Sequence, residues 1–134
     1  MTIEMNIATA DSHVGEVERS IRTIKERLRS LVHGLPFKRL PRLMISHMVA
    51  DSIRCLNQFP KKNGISATMS HATIVTGAPS PDYNAMRLEL GAYVQVIEDS
   101  EPTNTPRARY LGAIALTPTG NVQGDYHFMS LATG

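Results

Sequence analysis

The 134 residues suffice for one domain, or for two small units sharing a core, and 42% apolar against 19% charged residues excludes disorder throughout. The net charge of +2 conceals a division, because residues 1–64 carry eleven Lys/Arg against six Asp/Glu and residues 65–134 carry three against six. The single cysteine, Cys55, excludes an intrachain disulfide and points to a reducing compartment.

Residues 1–10 carry little pattern, and 5–10 fit a short strand or the frayed start of a helix. From Val14 the apolar positions Val17, Ile21, Ile24, Leu28, Leu31 and Val32 recur at steps of three and four, which predicts one helical face. Asp11 or Ser12 is the expected cap, Glu16 complements the first-turn dipole, and the helix should end at His33-Gly34, before Pro36. Glu18, Arg22, Glu26 and Arg29 stand on a second face, where opposite charges can pair for a few tenths of a kcal/mol each, roughly.

A short connection over 37–41 leads to a second predicted helix opened by Pro41, with Ile45, Met48, Val49, Ile53, Leu56 and Phe59 as its apolar stripe and Pro60 as its stop. Around Cys55 the pattern is that of a helix interior, so the thiol reads as inert packing. Lys61-Lys62-Asn63-Gly64 is a basic turn. Residues 65–86 show little periodicity and read as a linker or ordered crossing, with Ile74-Val75 as a further strand. Strands follow around Tyr93 to Ile97, over 108–116 and over 125–131, separated by the polar stretch 98–106 and the turn at Pro118 to Asn121. Their spacing fits a small antiparallel barrel or meander.

The chain has no Gly-rich phosphate loop, no Cys/His zinc pattern and no serine nucleophile elbow. No two of His13, His33, His47, His71 and His127 have the helical spacing of a metalloprotease pair. No apolar run reaches the roughly 18 residues needed to cross a bilayer, and the N-terminus lacks a signal-peptide core. A protein soluble inside the cell, in nucleus or cytoplasm, is therefore expected. Arg19, Arg22, Lys25, Arg27, Arg29, Lys38, Arg39 and Arg42 form a basic series suited to phosphates, and no aromatics are interleaved to stack bases.

Gly15-Glu16-Val17-Glu18-Arg19-Ser20-Ile21-Arg22-Thr23-Ile24 resembles the last catalytic segment of copia-type (Ty1/copia) retrotransposon integrases, in which Gly, two residues and Glu-Arg, then Arg-Thr-aliphatic, open a helix. Residues 43–59 and Gly64-Ile65-Ser66 are similar to that family's next helix and its exit. Leu90-Gly91-Ala92-Tyr93-Val94, Arg109-Tyr110-Leu111-Gly112, Thr119-Gly120-Asn121 and Tyr126-His127-Phe128 resemble the small barrel that follows the core.

The resemblance implies an α+β chain: a helical hairpin from a truncated RNase H-like integrase core over 1–62, a linker over 63–87, and a small antiparallel, SH3-like β-rich unit over 88–134. It also implies DNA integration as the ancestral activity, with three carboxylates holding two Mg2+ or Mn2+ ions that drive phosphodiester attack. Only the third carboxylate has a counterpart, Glu18. The other two belong on upstream strands, while only Glu4 and Asp11 are acidic residues ahead of Glu16. The expectation is thus a fragment inactive alone, binding no metal by itself and retaining nucleic-acid association through Arg19, Arg22, Lys25, Arg29, Lys38 and Arg39. Two other readings remain: a module that docks on an integrase core or a second copy through its apolar helix faces, and a nuclease whose metal cage a partner completes. No membrane partner is expected.

Overall fold

The computed structural model describes residues 14–79, 81–97, 106 and 108–134. These form an α+β fold of three α-helices and an open three-stranded antiparallel sheet: α1 (Gly15–Gly34), α2 (Arg42–Gln58), α3 (His71–Thr76), β1 (Tyr93–Ile97), β2 (Tyr110–Pro118) and β3 (Tyr126–Ser130). The sheet runs β1-β2-β3, a meander. The SH3-like closure implied by the resemblance is not formed by the described residues.

α1 ends at Gly34, as the Gly-x-Pro exit requires, and Leu35 turns extended. Its N-cap is Val14, whose side chain makes no capping bond. The expected caps Asp11 and Ser12 lie outside the described residues, as does the reading of 5–10. Glu16 and Glu18 in the first turn offset the unpaired N–H groups there.

α2 corrects the sequence reading of its buried face. Of the predicted stripe Met48 is buried, with Met44 and Ser52 four residues to either side, whereas Ile45, Ile53 and Phe59 stay exposed. The helix has one side on the sheet and another beside α1: Met44 and Met48 join Leu90, Ile114 and Leu116 in the core, with Leu28, Leu31, Leu35, Phe37 and Leu40 packed around them. Ile53 and Leu56 instead line a groove with Ile24 of α1. Ser52 needs no outside partner, because its hydroxyl donates to the Met48 carbonyl at 2.8 Å.

Ile74-Val75 is helical, not extended. Ser70 Oγ accepts from Thr73 N at 3.1 Å to cap α3, and Gly77 at φ 71° closes it with a bond to the Thr73 carbonyl. The stretch expected to be a linker thus carries α3 and a 3-10 turn at Tyr83–Met86. That turn is fastened to the sheet by the Tyr126 hydroxyl, which accepts from Leu88 N and donates to the Asn84 carbonyl, both at 3.2 Å.

A bulge between Ala115 and Pro118 shapes β2. Ala115 opposes Phe128 and Pro118 opposes Tyr126, so Leu116 and Thr117 together face His127. β2 is buried without alternation over Ala113 to Thr117, as a central strand covered on both faces is, and Thr117 at the bulge meets His47 of α2.

Candidate nucleic-acid interface

α1 presents two unlike faces to solvent. At about 100° per residue, Glu18, Arg22, Lys25 and Arg29 fall within about 60° of arc. With Ile21 and Glu26 they line one shallow concavity. The apolar stripe runs along another side, and no residue of the helix is fully buried. Val17 is 54% exposed and Ile21 and Val32 are similarly open. This helix holds a cationic ridge in water and leaves apolar surface uncovered.

The predicted phosphate contacts separate into three groups. Arg22, Lys25 and Arg29 share the ridge with Glu18. Arg19, about 100° around the helix from Glu18, lines a different cleft with Lys61, Asn63 and His71. Lys38 and Arg39 are exposed in the connection between α1 and α2. Lys61 and Asn63 carried a sequence signal in the basic turn; only the fold brings His71 beside them.

Among the described residues, no second carboxylate stands beside Glu18. Its stripe neighbours are cations, and Glu26, the other carboxylate of the concavity, lies eight residues along the helix, about 12 Å away. Among the described residues no group of three or more His, Cys, Asp or Glu side chains is placed to hold a metal ion. Glu4 and Asp11 lie outside the described residues. No helix among the described residues is long and apolar enough to cross a membrane.

Cys55, half-buried on α2, sits against Asp51 and Arg54, whose ion pair is 2.6 Å long.

A second polar cluster joins α2 to the sheet. His47 Nδ1 lies 2.7 Å from Thr117 Oγ1, and its ring is 5.4 Å from that of His127. Burial, and then the charge of His127, push the His47 pKa below its ordinary 6.5. The unfolded chain therefore takes up protons at a pH where folded His47 remains neutral. Its contribution to stability is full above pH 6.5 and is lost as pH falls from 6.5 toward the folded value. His47→Gln keeps a polar partner for Thr117, so its urea midpoint should fall less than the wild type's between pH 7.5 and 5.5. Equal decreases would remove His47 as the source.

No family model, curated protein or solved structure matches this chain.

Proposed function

We propose that this chain is the C-terminal part of a copia-type integrase core with the small β unit that follows it, and that alone it associates with nucleic acid without cutting it. In this reading the α1–α2 hairpin derives from an RNase H-like core, and β1 to β3 form part of an SH3-like unit. The observation that carries the nucleic-acid reading is the exposed ridge of Arg22, Lys25 and Arg29 on a regular helix. Three cations on neighbouring turns, about 5 Å apart along the axis, can follow a phosphate backbone and release its counterions. The ridge offers no base-reading geometry, so binding should be insensitive to sequence.

A sequence-independent complex of this kind has a steep, linear dependence of log K on log salt, with slope about −0.9 for each phosphate neutralised on duplex DNA. For the intact chain we expect a slope of about −3 or steeper by fluorescence anisotropy, and uncut DNA with Mg2+ or Mn2+ present. Divalent-dependent cleavage lost in Glu18→Gln, with binding retained, would instead establish the nuclease reading.

The exposed Val17, Ile21 and Val32 of α1, together with exposed Leu43, Ile45, Ile53 and Phe59 on α2, favour a second reading. These helices would dock on the remainder of an integrase core, burying the apolar side chains the isolated chain leaves in water. It predicts association that persists at high salt, with negligible DNA affinity.

A further inference from the structure

The first half of α1, the basic turn at 61–64 and the start of α3 meet around a cleft of about 500 Å³ lined by Glu16, Arg19, Ser20, Lys61, Asn63 and His71. That volume lies within the roughly 300–1,000 Å³ usual for ligand clefts. Three chain segments, up to 55 residues apart in sequence from Glu16 to His71, thus bring two fixed cations, an amide and an imidazole to one place.

The turn has a defined shape. Gly64 N donates to the Lys61 carbonyl at 3.0 Å, and a Cβ at Gly64 would sit 3.3 Å from both Lys61 Cβ and its carbonyl oxygen and 3.8 Å from His71 Nε2. The small residue brings the lysine stem and the imidazole close together. A neighbouring groove between α1 and α2 shares Arg19, Ser20 and Lys61 and continues past Thr23 and Asn57. The two concavities adjoin at Arg19 and Lys61, and the second is lined also by Ile24, Ile53 and Leu56.

We propose that this junction is a phosphate subsite for a nucleic-acid backbone, separate from the α1 ridge. Arg19 and Lys61 supply charge, with the guanidinium able to take two phosphate oxygens at once. The Asn63 amide and a ring N–H of His71 donate to the oxygens that remain. Glu16 lies in the same cleft, on α1 three residues before Arg19, and sets a repulsive limit on how deeply an anion enters. Sugar and base pass along the groove by Thr23 and Asn57, where no charge selects among them. The proposal rests on the nucleic-acid reading above.

The test is anisotropy of a labelled 20-base-pair duplex against salt, for the wild type and Arg19→Ala/Lys61→Ala, both exposed positions, with circular dichroism confirming the fold. Losing two contacts should flatten the slope by about 1.8 and weaken binding on the order of a hundredfold at 50 mM salt. His71→Gln at pH 8 should weaken binding several-fold and leave the slope unchanged. A wild-type slope retained by the double variant overturns the subsite and leaves the ridge reading standing. No salt-sensitive binding by the wild type overturns both. Millimolar inorganic phosphate that shifts the His71 imidazole resonances, in a chain whose duplex does not, assigns the cleft to free phosphate and overturns the backbone proposal.

Discussion

Met48→Ala should lower the free energy of unfolding by about 2–5 kcal/mol, the usual range for truncating a buried methionine. Met48 is 1% exposed and Met44 0%, and both insert between α2 and the sheet against Leu90, Ile114 and Leu116. Among the described residues few other large apolar side chains are fully buried, so this contact carries much of what joins helices to sheet. A domain of this size has about 5–15 kcal/mol in total, so the loss is a large fraction of it. The comparison is Val122→Ala, at a side chain 99% exposed, which should change stability by less than about 0.5 kcal/mol. Urea denaturation of the two variants measures both. Equal midpoints would mean that α2 does not pack on the sheet through Met48.

Gly91→Ala should be the second severe change, for a different reason. Gly91 holds φ 89°, where an L side chain costs about 1–3 kcal/mol, and an added Cβ would run into Leu35 Cδ2. The residue cannot simply move away. Its N–H donates to the Ala115 carbonyl at 2.8 Å while Ala115 N donates to the Ala92 carbonyl at 2.9 Å, so these bonds set the entry into β1. Leu35→Ala removes the clashing methyl at its own packing cost, so in that background Gly91→Ala should cost less than in the wild type by the steric part only, the backbone strain remaining. Gly34→Ala is the contrast: it lies at the end of α1 with open space around it, and the substitution should be neutral or slightly stabilising. If Gly91→Ala behaves like Gly34→Ala, the positive φ is not what that position requires.

How far these elements were legible follows from where their signals lie. The α1 stripe and its Gly-x-Pro exit are local, and the helix ends at Gly34 as expected; β1 likewise spans Tyr93–Ile97. The buried face of α2 was misread because Ser52 breaks the apolar pattern there, and its hydroxyl is satisfied within the helix in a way no hydropathy pattern registers. At Ile74-Val75 the β-branched pair argued for a strand, but Ser70 and Gly77, six residues of helix apart, set both ends of α3. The bulge at Leu116-Thr117 depends on its partner strand and leaves no local mark. The same limit applies to the site: spacing alone groups Arg22, Lys25 and Arg29, whereas the meeting of Arg19 with Lys61 across 42 positions needs the tertiary fold.

The central claim is that the cationic ridge of α1 engages a phosphate backbone. Its most direct measurement is the salt slope of duplex binding for the wild type and for Arg22→Gln/Lys25→Gln/Arg29→Gln, a variant that removes the three charges and keeps helix propensity. Loss of three phosphate contacts should flatten the slope by about 2.7, whatever the DNA sequence. A slope unchanged by the triple substitution, with α1 still helical, would contradict it.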